Sequence, residues 1–315
     1  MHLLMTLIFC ISSNLNQNYD RKLQMAFSEI SMEIIGFIGD KNVISNTNLC
    51  PYEIHLNDVK ISEGSCSINL ASQGNITIKL IWFDPLTSCS SMFSRLSYII
   101  YIDLSRFDSS LVTEMFEMFY ECTSLKSLYL ANLNTSFVEN MGYMFSSCTS
   151  LENIDLSNFN AESVRNMESM IAGCISLKQL DISNIYTSSV VSMRAMFSNC
   201  KLLNSLDLSK FDTSLVTDMS YIFYSSELLT TLNLSNFNTK SVLSIERMFL
   251  GCISLVKLDL SSFNTSLVEN MGSFVSGCYS LTSLDLSNFD TSNVRDMSNF
   301  IFFMLFFKFI RFVKF

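Results

Sequence analysis

Histidine is nearly absent from this chain of 315 residues: His2 and His55 are the only two, and both precede residue 75. The rest of the chain therefore cannot form a Ser-His-Asp or Cys-His catalytic pair, or a zinc site with a histidine ligand, from its own residues. In the N-terminal part, His55 with Cys50 or Cys66 is the one conceivable nucleophile pair. We expect a protein that is not an enzyme and that uses no metal or cofactor.

Positive charge and proline are also scarce. The chain has 20 Lys and Arg against 29 Asp and Glu, which gives a formal net charge of −9. Such a chain is not attracted nonspecifically to nucleic acid or to an anionic membrane surface, so we expect no nucleic-acid partner. Proline is limited to Pro51 and Pro85, and none occurs in the long segment that follows.

That segment, from about Leu86 onward, is a repeat of 26 residues without insertions or deletions. Six of the ten cysteines mark the interval, and Ser226 takes the one remaining position in the series. A fixed period of this length is typical of stacked structural repeats. The cysteines of the series are predicted to be small buried thiols, and they are Cys122, Cys148, Cys174, Cys200, Cys252 and Cys278.

Each repeat has two halves with different apolar spacing. The first half, such as Leu151-x-x-Ile154-x-Leu156-x-x-Phe159, alternates in its centre and predicts a short strand. In the second half, apolar residues recur at helical spacing, as at Met115, Met118 and Phe119, and predict one helix. Between the halves, Asn-Thr-Ser sequences such as residues 134–136 have the residue types that cap helices, and Ser136 with Glu139 has capping-box spacing.

These halves predict an α/β fold: a right-handed, leucine-rich-repeat-like solenoid with one short parallel strand and one helix per repeat. Residues 14–74 lack the period and predict a small β-rich N-terminal cap, which includes the alternating segments 52–56 and 66–70. The strong β segment 75–83 is already in phase with the repeats, so residues 75–299 are assigned to the array. A Cys50–Cys66 disulfide in the cap and two unpaired cysteines are both open.

The two ends of the chain are apolar. Residues 1–13 are a candidate secretory signal, and the alternative is a buried N-terminal strand or helix. Residues 300–315 are either a membrane anchor, although they are shorter than a spanning helix, or a degenerate last repeat. The repeat phase favours the second interpretation, because Ile310 lies 26 residues beyond Leu284. An apolar last repeat would also leave surface for a membrane or for a second copy of the chain.

Between the two inward residues of each strand stands one outward residue, usually Asp. Parallel pairing would align these residues in a ladder on the concave face, with serines two positions later. The ladder is either a binding face for a ligand or Ca²⁺, or a solvated face that keeps the stack soluble. The candidate binding residues are Asp103, Tyr129, Asp155, Asp181, Asp207, Asn233, Asp259 and Asp285.

The unit Leu-x-x-Leu-Asp-Leu-Ser-Asn-Phe-Asp-Thr-Ser-x-Val-x-x-Met-x-x-Met-Phe-x-x-Cys-x-Ser-Leu resembles the repeat of BspA-like leucine-rich repeat surface proteins. The same repeat is described as a domain of unknown function in mycoplasma lipoproteins and in microbial eukaryotes. The resemblance extends from about Leu86 to Met297. It implies surface display and adhesion or protein binding, without catalysis, and it assigns no site residues.

We therefore expect a secreted or surface-attached protein that binds a protein or glycan through the concave Asp/Ser face. Four N-glycosylation sequons, at Asn75, Asn134, Asn233 and Asn264, agree with export, but two of them coincide with the Asn-Thr-Ser capping motif. The alternative is a cytoplasmic repeat scaffold for protein–protein interaction.

Overall fold

The computed structural model describes residues 28–36, 38–71 and 73–301, and the backbone of residues 309–311. The candidate signal segment lies outside the described residues. Within the described part, strands and turns account for nearly all regular structure, and the one helical segment is the short 3₁₀ turn Thr47–Leu49. The strands are β1 (Ser28–Gly36), β2 (Gly39–Asn42), β3 (Glu53–Leu56), β4 (Val59–Glu63), β5 (Ser67–Leu70), β6 (Gly74–Trp82), β7 (Ile99–Arg106), β8 (Ser127–Tyr129), β9 (Asn153–Asp155), β10 (Gln179–Asp181), β11 (Ser283–Asp285) and β12 (Phe309–Arg311).

The first strands form a β-rich N-terminal unit, in which β3 and β5 lie in the segments 52–56 and 66–70 whose alternation predicts strands. The main sheet has the order β4-β3-β6-β1-β7-β8, and β2 pairs separately with β5. The disulfide Cys50–Cys66 crosslinks two segments within this unit, and its two Cα atoms are 4.7 Å apart. The indole N–H of the buried Trp82 donates to the Leu49 carbonyl at 3.0 Å.

Strand β1 lies between β6 of the N-terminal unit and β7 of the first repeat. It pairs antiparallel with both β6 and β7, so that Met32 lies opposite Ile78 on one side and Ile102 on the other. Although Ile78 precedes Leu104 by 26 residues, β6 is therefore not the strand next to β7. Since β1 joins the N-terminal unit to the first repeat, the boundary near residue 74 stays a prediction.

Where strands of successive repeats pair in the described part of the chain, as β7 with β8, β9 with β10 and β11 with β12, they pair in parallel. Ile102 lies opposite Leu128, and Ile154 lies opposite Leu180, each at an offset of 26 residues. At the far end Leu284 lies opposite Ile310, the register that the phase of the tail predicts. Residues 309–311 of the tail therefore pair as another repeat strand. In the described part of the chain, no helix has the length and apolar character needed to cross a membrane.

The prediction of one helix per repeat is wrong, and with it the assignment to an α/β leucine-rich-repeat solenoid. In an α-helix the Phe119 N–H would donate to residue 115. Instead it donates to the Met144 carbonyl of the next repeat at 2.9 Å. The Met118 and Cys122 N–H groups donate three residues back, to Met115 and Phe119. The second half of each repeat is thus a series of tight turns bonded to its neighbour, and Ser136 with Glu139 caps no helix.

Left-handed backbone at fixed positions is what separates these turns from a helix. Glu117 and Glu121 have φ of 55° each, and their N–H groups donate to carbonyls of the next repeat. A left-handed residue costs roughly 1–2 kcal/mol, so the inter-repeat bonds must hold it there. The two columns are Ser91, Glu117, Tyr143, Ser169, Ala195, Tyr221, Arg247, Ser273 and Asn299, and Arg95, Glu121, Ser147, Gly173, Asn199, Ser225, Gly251 and Gly277.

The apolar columns meet inside the stack, as their spacing predicts. Met115, Met118, Phe119 and Cys122 are fully buried, although on turns and not on a helix. Phenylalanines of successive repeats stack with nearly parallel rings, for example Phe119 on the next repeat's ring at 5.4 Å and 6°. A second column of phenylalanines, which ends the first half of the repeat, is also buried, at Phe107, Phe159, Phe211, Phe237, Phe263 and Phe289.

Candidate functional site

The outward residues of the strand segments form a surface that we call the strand face. Over four neighbouring repeats this face contains an open cleft of about 790 Å³. Three predicted binding residues, Asp155, Asp181 and Asp207, line the cleft together with Asn153 and Gln179. Parallel pairing of β9 with β10 places Asp155 directly opposite Asp181. The structure therefore brings this part of the predicted ladder together.

The other predicted residues occupy the same column outside this cleft. Asp259 and Asp285 line a separate, smaller cleft of about 200 Å³. Asp103 lies opposite the half-exposed Tyr129 where β7 pairs with β8. Asn233 stands between the two clefts in sequence and is exposed. The column is thus continuous along the chain, but its cavities lie at two places.

Each aspartate of the column also has a structural role that the sequence analysis missed. The Asp155 Oδ1 atom accepts hydrogen bonds from the Ser157 N–H at 2.9 Å and the Ser157 hydroxyl at 2.6 Å. Asn233 makes the same pair of bonds with Ser235, at 3.1 and 2.8 Å. Such Asx turns end the strand and redirect the chain. The serine two positions later is thus a turn partner of the aspartate.

These hydrogen bonds also affect the charge of the cleft. The Ser157 side chain and N–H stabilise the ionised form and hold the pKa of Asp155 below its ordinary value. The Ser209 N–H and side chain lower the pKa of Asp207 in the same way. Both carboxylates therefore remain ionised at neutral and mildly acidic pH.

The Asx turn predicts different effects for two substitutions at Asp155. Asp155→Ala removes the acceptor and should lower the free energy of unfolding by about 0.5–1 kcal/mol, the lower part of the range for one hydrogen bond because the turn is exposed. Asp155→Asn keeps the acceptor, as Asn233 does, and should cost less. Urea unfolding followed by circular dichroism measures both values. Equal losses for Ala and Asn would show that the turn hydrogen bond contributes nothing.

Basic and acidic side chains on adjacent repeats also pair beside the cleft. The Lys178 ammonium, which lines the cleft, lies 2.8 Å from the Glu152 carboxylate. The pair joins repeats at the 26-residue offset and is exposed on both sides, so its contribution to stability is small. Within the described residues, no group of three or more His, Cys, Asp or Glu side chains is placed to hold a metal ion.

Cysteine offers no accessible thiol at this site. The Cys148 thiol is buried and donates to the Phe119 carbonyl at 3.1 Å, and Ser226 makes the equivalent bond to Phe197 at 2.8 Å. Burial raises the pKa of Cys122 and Cys174 to about 12. These residues are structural donors, as predicted from their column, and not nucleophiles.

The nucleophile pair considered in the N-terminal unit does not exist as such. Cys50 and Cys66 form the disulfide, so neither is a free thiol. His55 Nε2 lies 2.9 Å from the Glu53 carboxylate, on the strand that pairs with β4 and β6.

Buried threonines form a second ladder, which the sequence analysis mistook for part of a helix cap. The Thr213 hydroxyl donates to the Asn238 carbonyl at 3.0 Å and accepts from the Asn238 N–H at 2.8 Å. Thr239 makes the same reciprocal pair with Asn264. Both threonines are at most 1% exposed. The signal in the sequence for this ladder was the threonine that stands at the same position of each Asn/Asp-Thr-Ser motif.

A comparison with known protein families finds a match in the repeat region of the chain. The model of a family described as "Mycoplasma protein of unknown function, DUF285" matches residues 87–206, 162–256 and 191–308. The chain belongs to this family. The matches overlap and together extend over residues 87–308. The part of the chain that matches the DUF285 family therefore contains the stack of turns and the strand-face cleft.

Neither the curated proteins nor the solved structures include a match to the chain. The DUF285 family has no assigned function, so its membership identifies the repeat and not a ligand.

Proposed function

We propose that this DUF285 protein is a non-catalytic binding protein, secreted or attached to the cell surface, whose strand-face cleft holds a protein or glycan ligand. The resemblance of its repeat to BspA-like surface proteins supports adhesion as the biological role. The observation that carries the proposal is the cleft itself, to which three successive repeats contribute Asp155, Asp181 and Asp207.

The chemistry of the cleft suits a polar ligand. The aspartates supply charge, while Asn153 and Gln179 can both donate and accept hydrogen bonds. Identical contacts repeated along the stack act together on a long ligand, so that many weak contacts give useful affinity. A binding role also agrees with the absence of an exposed nucleophile among the cysteines of the described repeats.

Two features support export. The Cys50–Cys66 disulfide is of a kind that persists in oxidising compartments. The sequon asparagines Asn75, Asn134 and Asn233 are exposed, so a glycosylating enzyme could reach them. Sequencing of the mature N-terminus and analysis of glycan occupancy in the native cell test this localisation. An intact Met1 with bare sequons would favour the cytoplasmic scaffold.

The ligand proposal predicts that charge on the strand face controls binding. The triple variant Asp155→Asn, Asp181→Asn and Asp207→Asn keeps the turn acceptors and removes three negative charges. We expect its affinity for immobilised extracellular-matrix proteins or cell-surface glycans to fall by about tenfold, since each exposed charge contributes modestly. Biolayer interferometry at two salt concentrations measures the affinity, which should also weaken as salt increases.

A matched control uses aspartates with the same turn geometry elsewhere. Asp212 and Asp290 accept from the N–H groups of Ser214 and Ser292 at 2.9 Å, and neither lines the cleft. The variant Asp212→Asn with Asp290→Asn should bind as the wild type does. If the triple variant also binds as the wild type does, the strand face is not the binding surface.

A further inference from the structure

A second groove, which we call the turn-face groove, lies on a surface built by the turn segments near the end of the stack. It has a volume of about 440 Å³, and its lining includes Tyr224, Ile253 and Tyr279 from three successive repeats. It shares no lining residue with the strand-face cleft. The turn-face groove is therefore independent of the function proposed above.

Two glycines, Gly251 and Gly277, are among the residues that line this groove. They have φ of 76° and 73° and belong to the second left-handed column. In earlier repeats Arg95 and Glu121 take the same left-handed conformation, with φ of 62° and 55°, so residues with side chains also occupy this column. A Cβ on Gly277 would meet its nearest atoms, in the backbone of Gly251, at 3.6 Å, which is an ordinary contact.

Aromatic rings from two repeats line the groove. Tyr279 is 54% exposed, and Ile253 is 37% exposed. Tyr224 contacts the ring of Tyr221 edge to face, with centroids 5.7 Å apart. Exposed rings with hydroxyl groups offer a flat apolar face and a polar rim to the same ligand.

The remaining lining is polar and carries little charge. Ser225, Ser273 and Asn299 add hydroxyl and amide groups. The one carboxylate, Glu227, lies 2.8 Å from the Lys201 ammonium on the neighbouring repeat. No lysine or arginine lines the groove, so it has no group that would select an anionic ligand.

We propose that the turn-face groove binds a neutral oligosaccharide. The C–H faces of pyranose rings pack against tyrosine rings, and their hydroxyls exchange hydrogen bonds with serine and asparagine. The two lining glycines carry no side chain that would obstruct a sugar chain running across the repeats that supply the two tyrosines. A charged peptide would find neither matching charge nor an unpaired strand edge among these turn residues.

The full chain should bind at least one of chitohexaose, cellohexaose and maltohexaose, as measured by isothermal titration calorimetry. Tyr279→Ala should then weaken binding by at least about tenfold, because it removes a stacking face. Tyr186→Ala is the matched control, since Tyr186 is 50% exposed and lies outside the groove, and it should change nothing. Failure of all three sugars to bind, or unchanged affinity in Tyr279→Ala, would overturn the proposal.

A second variant tests whether the groove needs glycine at position 277, by adding a side chain there. Gly277→Asn introduces the residue that Asn199 supplies in the same column, where its φ is 55°. It should abolish binding of the oligosaccharide while the circular dichroism spectrum stays that of the wild type. The triple strand-face aspartate variant should retain sugar binding. Loss of sugar binding in that variant would contradict a groove separate from the strand face. The proposal would also be contradicted if a peptide, and not a sugar, bound to the chain and Tyr279→Ala removed the binding of that peptide.

Discussion

Replacement of Phe223 by alanine is expected to lower the free energy of unfolding by about 3–5 kcal/mol. Phe223 is fully buried and stacks on Phe197 at 5.9 Å and on Phe249 at 5.6 Å. The substitution removes two ring contacts and leaves a cavity inside a stack of turns that have no helix to stiffen them. Urea unfolding of the full chain, followed by circular dichroism, measures the loss.

Two further variants separate the loss of buried packing from the general effect of removing an aromatic ring. Phe137 is 61% exposed, so Phe137→Ala should stay within about 0.5 kcal/mol of the wild type. Phe223→Ile introduces the residue that Ile171 supplies at the same position of an earlier repeat, and it should cost less than alanine. A loss below about 1 kcal/mol for Phe223→Ala would show that the stack relaxes around the cavity.

The second large effect is expected at Thr213, where valine keeps the shape and removes the hydroxyl. The Thr213 hydroxyl both donates to and accepts from the backbone of Asn238, and the side chain is fully buried. A buried group left without a partner costs about 1–3 kcal/mol, and the change affects two such groups. Thr213→Val should therefore destabilise by at least about 2 kcal/mol, by the same unfolding measurement.

Serine distinguishes the hydrogen bonds from the methyl group. Thr213→Ser retains the hydroxyl, as Ser109 does when it accepts from the Asn134 N–H at 2.8 Å, and most of the stability should return. Hydrogen exchange of the Asn238 amide gives a local reading, because that N–H should lose protection in Thr213→Val but not in Thr213→Ser. If serine is as destabilising as valine, packing and not hydrogen bonding accounts for the position.

The pattern of apolar residues was a sound guide to the interior. Met115, Met118 and Cys122 were predicted to face inward and are buried, and the β segments at 52–56 and 66–70 contain β3 and β5. Burial follows from residue chemistry and from the repeat period, which aligns identical side chains whatever backbone carries them. The period also predicted the register of β11 with β12.

The helix was the main error, and its cause is physical. Residues three and four apart share one face of a helix, but tight turns with left-handed residues between them produce the same result. Met118 and Phe119 are buried in either arrangement, so their spacing could not distinguish the two. The deciding bond joins the Phe119 N–H to the Met144 carbonyl, a partner that local propensity does not consider.

The candidate site shows the same division. The Asp column was visible in the sequence because Asp155, Asp181 and Asp207 recur at one position of the repeat. Their use of Oδ1 in Asx turns was not apparent, because serine two positions later looked like a second outward column. Asparagine, and not alanine, therefore separates the charge of these residues from their turn hydrogen bonds.

The sequence by itself determined the repeat length and the residues that fill the core, because both depend on chemistry that recurs at fixed intervals. Only the tertiary structure decided that the second half of each repeat is a series of turns and that β1 enters beside β7. It also decided that Tyr224 and Tyr279, which lie two repeats apart, line one groove near the end of the stack. Each of these depends on backbone partners far apart in the chain, and residue spacing alone does not specify them.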